Sequence, residues 1–388
     1  MSSSTTNINL FKYDTVADKK STFNINTALN DNFDKIDSNC INKAGTVAFT
    51  AEQKGIDASN STGLTTLQQV QSLISAVNVF TADTSNMPTI SNALLTGIIS
   101  TTAGSATLTG FNTKFMTETS AGKIINIAGT YYTVASVSND NTMTLTSPVS
   151  TTYSAIKMCF NDRISFNDGF CYDLLTKIKI TSLGIIKKLD SIFATGNGNG
   201  GLDIGSKAIS TCYHCFAISK PDGTSDFLFS LSPTDPTMPG DFINKRRIGS
   251  ILIDSSGNII PFIQNGNYFT FKYVIQTLNG SGNNARTPLT LPVPPNTRAF
   301  LVLYLTSSTS GNSYMGIYDK TCPNGGYVQI AGAPSAVDTI YGEVFVDSNS
   351  QVDYITGSGA GAPSSKTIQT TGYLDKRGTN WWKNMLNN

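Results

Sequence analysis

The stretch GNGNGGLDIGSKAISTCYHCFAIS (residues 196–219) decides how this chain folds. It opens with Gly196, Gly198 and Gly201 in the order G-x-G-x-x-G, which is also the order found in loops that bind dinucleotides. Such a loop needs a helix directly after the glycines, because the pyrophosphate binds at the N-terminus of that helix. Here the following residues alternate with a period of two, which is typical of a strand. We therefore interpret the glycines as a loop that admits positive φ and predict no nucleotide cofactor.

The end of this stretch holds a C-x-x-C motif and the chain's only histidine. On a strand, Cys212 and His214 share one face and Cys215 lies on the other, so the two thiols are not expected to form a disulfide. A zinc site would need a second ligand pair at similar spacing, which the sequence lacks. We expect ordinary strand residues, with no metal site; a catalytic Cys-His pair is the alternative.

The composition favours strands and turns. Charged residues make up 14% of the chain, against about 25% in an average soluble domain. Glu52, Glu118 and Glu343 are the only glutamates among 26 acidic residues. Aspartate, asparagine, glycine and serine favour turns, whereas glutamate favours helix interiors. We therefore predict many short strands joined by turns.

The charge pattern gives no sign of nucleic-acid or membrane binding. The net charge is +1, and the basic run Lys245-Arg246-Arg247 is short, so we expect a solvated strand end rather than a phosphate-binding patch. The N-terminus lacks the pattern of a secretory signal. The longest strongly apolar run, residues 299–305, is far below the roughly 20 residues that span a bilayer. We expect a soluble chain made in the cytoplasm, with no membrane insertion.

The first part of the chain predicts two helices. Residues 1–45 contain apolar side chains at helical spacing, and a helix this short must dock on something to be stable, either in this chain or in a larger assembly. These side chains are Ile25, Leu29, Phe33 and Ile36. Residues 46–98 hold a second helix with spacing that suits either a coiled-coil seam or packing within its own domain. Its apolar positions are Leu67, Val70, Ile74 and Val77.

The rest of the sequence predicts an all-β architecture. Residues 99–150 contain alternating runs bounded by Gly, Asn and Asp, which indicate a small β module. Residues 155–388 contain roughly ten strand-like runs with turns between them, which suits an antiparallel β-sandwich or jelly roll. No helical crossover pattern appears, so a parallel α/β sheet is disfavoured. The predicted fold class is mainly β and elongated, with a short helical N-terminus.

Paired carboxylates are the one catalytic chemistry that the sequence leaves open. Glycan cleavage needs only two acidic side chains at a suitable separation. Roles in turns and caps explain most aspartates equally well. The candidates in the β region are Asp162, Asp168, Asp173, Asp203 and Asp226.

Several of these segments together resemble a known family. In chain order they are TGNGNGGLDIGS (195–206), STCYHCFAIS (210–219), DFLFSLSPTDPTMPGDFINKRRIGSI (226–251) and TGYLDKRG (371–378). As a set they resemble the C-terminal β domain of tailed-bacteriophage fibre proteins. The chain departs from the family at Cys212 and Tyr373, where the family has tryptophan, and both changes concern packing. Residues 9–37 resemble the virion-attachment segment of tail-fibre and baseplate-associated proteins, and residues 104–147 resemble a small β module of phage structural proteins.

The resemblance implies a homotrimeric virion fibre or appendage without enzymatic activity. Its N-terminus would bind other virion proteins, and its C-terminal β domain would bind a host-surface glycan or protein. The anchoring side chains would be Leu10, Phe11, Tyr13, Phe23, Leu29, Phe33 and Ile36. The alternatives are a non-adhesive head fibre, collar or baseplate part, and a surface polysaccharide depolymerase. Receptor-binding residues are not identified, although the loop tips 278–286 and 306–313 are candidates because tips carry recognition.

Overall fold

A computed structural model describes residues 86–320, 327–358 and 362–377. It also describes the backbone of two short antiparallel strands near the N-terminus, β1 (Ser3–Ser4) and β2 (Phe11–Lys12). The chain divides into the units Met1–Ala82 and Asp83–Asn388. Both predicted helices and the predicted anchoring side chains lie outside the described residues, apart from the backbone of Phe11.

In the described part of the second unit, the regular secondary structure is all strand apart from one helix of a single turn. Its first part contains β3 (Ile90–Leu94), β4 (Ile98–Thr101), β5 (Thr107–Phe111), the one-turn helix α1 (Phe115–Glu118), β6 (Ile124–Ile127), β7 (Thr130–Asn139), β8 (Thr142–Leu145), β9 (Tyr153–Ile156) and β10 (Met158–Phe166). Next come β11 (Gly169–Tyr172), β12 (Lys179–Ser182), β13 (Ile185–Ile192), β14 (Gly200–Leu202), β15 (Thr211–Ser219), β16 (Ser225–Ser230) and β17 (Asn244–Ile253). The last part contains β18 (Phe262–Asn265), β19 (Tyr268–Gly280), β20 (Asn284–Thr290), β21 (Arg298–Thr306), β22 (Ser313–Tyr318), β23 (Tyr327–Gly332), β24 (Val337–Phe345), β25 (Gln351–Ser358) and β26 (Ser365–Leu374).

The largest sheet has thirteen strands in the order β17-β15-β16-β14-β13-β10-β6-β7-β8-β5-β4-β9, with β3 paired to β10. Most neighbours are antiparallel, but β14 pairs in parallel with both β13 and β16. This short parallel strand follows the glycine-rich loop without any helix, as the period of two in the sequence predicts. The two-stranded sheet β11-β12 lies outside this order.

The predicted small module forms around its own hydrophobic core, which includes Leu108, Phe115 and Met143. Its hairpins show the turn chemistry that the sequence indicates. Asn126 Oδ1 accepts the backbone N–H of Gly129 at 3.0 Å in the turn between β6 and β7. A side-chain acceptor two or three residues before a tight turn fixes the turn locally.

The last nine strands form an antiparallel β-sandwich. A five-stranded sheet, β18-β19-β26-β21-β24, and a four-stranded sheet, β20-β25-β22-β23, bury their facing side chains in one hydrophobic core. That core continues into the strands β15 to β17. Phe269 of the sandwich packs over Gly249 of β17, where any side chain would meet the phenyl ring. The predicted mainly-β class, with a small module and a C-terminal sandwich, is confirmed.

Candidate functional site

Strand β15 separates its side chains onto two buried faces. Tyr213, Cys215 and Ala217 contribute to the main hydrophobic core, while Cys212 and His214 lie on the opposite face and line a groove. Both cysteines are free thiols. Burial raises the pKa of the Cys215 thiol well above its ordinary value, so this thiol is not a nucleophile at neutral pH.

His214 belongs to a buried polar network that includes strand β17 and the residues after β26. Arg247 Nη1 donates to His214 Nδ1 at 3.1 Å, and the Ser250 hydroxyl lies 2.9 Å from the same nitrogen. Because a guanidinium can only donate, Nδ1 is the acceptor and the imidazole is neutral. Burial, reinforced by the charge of Arg247, lowers the pKa of His214 to about 4. His214 is therefore a neutral acceptor at physiological pH.

Asp375 closes this network. Its carboxylate accepts from Arg247 Nη2 at 2.7 Å, from the Ser250 hydroxyl at 2.6 Å and from the backbone N–H of Arg377 at 2.9 Å. Burial alone would raise the pKa of Asp375, but the charge of Arg247 and these hydrogen bonds outweigh it and lower the pKa. A carboxylate with this many donors is fully satisfied in its charged form.

The geometry differs from that of a Ser-His-Asp nucleophilic site. There, the serine gives its proton to the imidazole, and the aspartate orients the other imidazole nitrogen. Here the proton of Ser250 points to Asp375, and Ser250 is completely buried. The network therefore holds strands together rather than presenting a nucleophile.

Tyr373 connects the same centre to the sandwich. Its hydroxyl donates to the carbonyl of Ser250 at 2.7 Å, and its ring stacks on Phe269 with centroids 5.0 Å apart. The ring is buried, so the aromatic residue at this position has a packing role, as the resemblance implies.

The glycine-rich loop encloses a buried ion pair. Lys187 of β13 lies 3.1 Å from Asp226 of β16, and both side chains are inaccessible to solvent. The backbone N–H of Gly196 donates to Asp226 at 2.7 Å, and the Lys187 ammonium donates to the carbonyl of Ala194 at 2.6 Å. Gly196 and Gly198 have φ values of 102° and 77°. The left-handed backbone conformations of these two glycines allow the loop to enclose the Lys187–Asp226 pair.

The aspartates considered for paired-carboxylate chemistry have local roles in most cases. Asp162 pairs with the neighbouring arginine at 2.7 Å, and Asp226 belongs to the lysine pair. Asp173 and Asp203 accept backbone N–H groups, and Asp168 is exposed. Asp173 and Asp203 therefore have the turn and cap roles that the sequence offered as the alternative, whereas Asp162 and Asp226 lie within strands and form ion pairs.

The basic run on β17 is not the solvated strand end that its sequence suggested. Arg246 is only 5% exposed, because it points to the core side of the sheet beside Ala217. Arg247 is held by Asp375, and Lys245 pairs with Asp235 at 2.7 Å. Because β17 is covered on both faces, its alternating side chains place the charges of Arg246 and Arg247 inside the protein.

A groove of about 1410 Å³ lies between this polar network and the sandwich. It exceeds the range of about 300–1,000 Å³ that is usual for small-molecule pockets. Its apolar lining includes Leu252, Ile253, Ile260, Leu291, Pro292 and Val293. Its polar lining includes Thr211, Thr277, Thr290, Asn296, Ser348 and Asn349. Among the described lining residues, Phe216 is the one Phe, Tyr or Trp, and it is 2% exposed.

The two predicted contact tips differ in their surroundings. Residues 278–286 span the end of β19 and the start of β20, so they connect the two sheets of the sandwich. In residues 306–313, Ser307 and Ser313 are buried, and Ser307 donates to the carbonyl of Gly332 at 3.0 Å. The middle of this second loop remains at the surface.

Within residues 86–320, 327–358 and 362–377, no cluster of three or more His, Cys, Asp or Glu side chains could hold a metal ion. In the same part of the chain, no helix has the length and hydropathy needed to cross a membrane.

Comparisons with known proteins give only distant likenesses. No family model and no curated protein matches the chain. Among solved structures it is similar to SGBP-B of the Bacteroides ovatus mixed-linkage glucan utilization locus in complex with a mixed-linkage heptasaccharide, with 12% identity over 70% of this chain and 72% of that chain and a TM-score of 0.17. It is also similar to VP2 of infectious bursal disease virus in T=1 particles, with 10% identity over 77% and 74% of the two chains and a TM-score of 0.17. The infectious bursal disease virus Gx strain gives 11% identity over 75% and 73% and a TM-score of 0.18. TM-scores this low do not define a shared fold.

Proposed function

We propose that this protein is a structural virion protein of a tailed bacteriophage, a homotrimeric fibre or appendage subunit that binds the host surface. It would be assembled in the host cytoplasm, attached to the particle through residues 1–45, and exposed through its C-terminal β domain. The proposed partner at the host is a surface glycan, and the proposed role is adhesion without catalysis.

One observation carries this proposal. Three of the segments that resemble phage fibre domains meet in the network of His214, Arg247, Ser250 and Asp375, and the last of them lies more than 100 positions after the other two. Their shared residues therefore support the fold rather than a reaction. This arrangement supports an architecture like that of the phage fibre domains. The adhesive role is then suggested by that resemblance in fold alone. Three copies on one fibre would strengthen a weak contact, since later contacts form at high effective concentration.

Labelling of host cells by the fluorescent full-length chain tests adhesion. We expect labelling that disappears when periodate oxidises the cell-surface glycans. A non-adhesive head fibre, collar or baseplate part would leave untreated cells unlabelled.

Sugar release from purified host polysaccharide tests the depolymerase alternative. We expect none during long incubation. If sugar is released, and the release is lost in Asp203→Asn or Asp162→Asn, the function is hydrolysis rather than adhesion.

Particle incorporation tests the anchor. A chain that lacks residues 1–45 should be absent from purified particles. Incorporation at normal copy number would exclude Leu10, Phe33 and the other predicted anchoring side chains from that role.

A further inference from the structure

The outer face of the five-stranded sheet carries a row of aromatic rings, of which three are exposed and one, Phe300, is half-buried. In β21, Ala299, Leu301 and Leu303 point into the sandwich core, so Phe300 and Tyr304 point outward. Tyr341 of β24 lies opposite Val302 in the register and is 77% exposed. Tyr341 is therefore a diagonal neighbour of both Phe300 and Tyr304, at roughly 7–8 Å between backbone positions.

A fourth ring extends the row on its other side. Tyr268 of β19 stacks on Phe300, with centroids 5.9 Å apart and planes 17° apart. The residue of β26 that pairs with Phe300 is Gly372, so no side chain separates the two rings. Tyr268 is 56% exposed and Tyr304 is 36% exposed. The four rings form what we term the tyrosine face: Tyr268, Phe300, Tyr304 and Tyr341.

Amide and hydroxyl side chains fill the space beside these rings. One cross-strand row runs from Tyr341 through Val302 and Gln369 to Gln276. The next row runs from Thr339 through Tyr304 and Thr367 to Asn279.

These side chains suit sugars. Amides and hydroxyls both donate and accept hydrogen bonds, which matches the hydroxyl groups of a sugar. An aromatic ring offers an amphipathic, rigid surface on which the apolar face of a sugar ring can lie.

The charges near these rings lie at one end of them. Arg298 and Glu343 form an ion pair of 2.6 Å, so their charges compensate each other, and the Lys376 ammonium lies over the Phe345 ring beside Arg298. The direct cross-strand partners of Tyr304 and Tyr341 carry no charge, which favours an uncharged ligand. An acidic ligand would have to compete with Glu343 for the guanidinium.

Isolated surface aromatics need no explanation, but a contiguous row of them marks a binding surface.

The groove beside the polar network has hydroxyl and amide side chains but lacks an exposed aromatic ring among its described lining residues. Phe216, the aromatic residue among them apart from His214, is almost completely buried and cannot stack on a ligand. The sheet face combines both kinds of side chain and is therefore the better candidate for a sugar ligand.

We infer that the tyrosine face is the receptor-binding surface and that its ligand is an uncharged oligosaccharide chain lying along the four rings. This inference rests on the proposed adhesive function and specifies the site for it.

The test measures binding of the full-length chain to immobilised surface polysaccharide purified from the host, separated into neutral and acidic fractions. We expect the wild-type chain to bind the neutral fraction. Tyr341→Ala should weaken binding about tenfold, the loss expected for one well-placed aromatic contact. Tyr341→Phe keeps the ring and should bind within about twofold of wild type, while Tyr304→Ala is a second, independent variant with a similar expected loss.

Phe111→Ala is the matched control. It removes a 65% exposed ring from β5 in the small module, and it should bind as the wild type does. Unchanged thermal melting of each variant confirms that it is folded.

Several results would overturn the inference. Binding only to the acidic fraction would exclude an uncharged ligand, and undiminished binding by both alanine variants would exclude the tyrosine face. Weaker binding by Asn296→Ala but not by Tyr341→Ala would place the site in the groove instead. A change of oligomeric state in Tyr341→Ala would make the face a contact between copies. In these cases the adhesive function stands and only the site or its ligand fails. A wild-type chain that binds neither fraction and labels no cells removes the proposed function itself.

Discussion

Arg247 Nη2 donates to Asp375 Oδ1 at 2.7 Å, although 128 positions separate the two residues in the sequence. The pair joins strand β17 to the segment after the last strand, and the Asp375 carboxylate is completely buried. Arg247 also donates to His214 on β15. A contact between such distant parts of a chain forms only once the sheet and the sandwich have come together, so it reports on the complete fold.

Asp375→Asn should destabilise the protein strongly. The substitution leaves Arg247 largely buried without its counter-charge, and breaking a buried pair by removing one partner costs roughly 3–5 kcal/mol. We expect the free energy of unfolding, measured by chemical denaturation, to fall by about this amount. Asp168→Asn, at an exposed position, is the control and should change little. Equal stability of the two variants would show that the Arg247–Asp375 pair does not hold the fold.

Stability should decrease as the pH falls from 6.5 to 4. The pKa of His214 is lowered from 6.5 to about 4 in the folded protein. In this interval the unfolded chain binds a proton at His214 and the folded chain does not, so acid favours unfolding, by up to about 3 kcal/mol. Below this interval, protonation of Asp375, whose pKa is lowered, removes further stability. His214→Gln should flatten the slope between pH 6.5 and 4, and an unchanged slope would exclude His214 as its source.

Lys187→Met should also be destabilising, because it leaves the Asp226 carboxylate buried without its cation. A loss of roughly 3–5 kcal/mol in the free energy of unfolding is expected. The double variant Lys187→Met with Asp226→Leu should recover part of this loss, because it removes both charges together. Recovery remains incomplete because the backbone N–H of Gly196 then loses its acceptor. A double variant no more stable than the single one would show that the charge imbalance is not the cause.

Tyr373→Phe should cost about 1 kcal/mol, the usual worth of one hydrogen bond. The phenyl ring still stacks on Phe269, and only the bond to the Ser250 carbonyl is lost. Tyr373→Ala removes the ring as well and should cost about 3–5 kcal/mol. Thermal or chemical unfolding of the two variants measures both losses. Similar losses in the two variants would mean that the hydrogen bond, rather than ring packing, dominates at this position.

Alternation in the sequence was sufficient to predict the mainly-β class and the two faces of β15. It was not sufficient for β13, where Lys187 and Lys188 interrupt an apolar run. A buried lysine is compatible with a strand only when a partner such as Asp226 is present, and that partner lies 39 positions away in the sequence. Strand β20 also lacks an apolar alternation, since its sequence NARTPLT is mostly polar and contains Pro288.

The candidate sites depended even more on tertiary structure. His214, Arg247 and Asp375 were each visible in the sequence, but only the register of β15 with β17 brings the first two together. The tyrosine face could not be predicted, because Tyr268, Phe300 and Tyr341 come from three strands that are not consecutive in the chain. A single aromatic residue in a strand does not indicate whether its neighbours across the sheet are also aromatic.

The most direct test of the proposed function is a reconstruction of the purified phage particle at a resolution that traces this chain. We expect three copies in each appendage, with residues 1–45 against the particle and the tyrosine face of the C-terminal sandwich exposed at the distal end. A particle that contains no copies of this chain, or one in which the sandwich is enclosed by other virion proteins, would contradict an adhesive fibre.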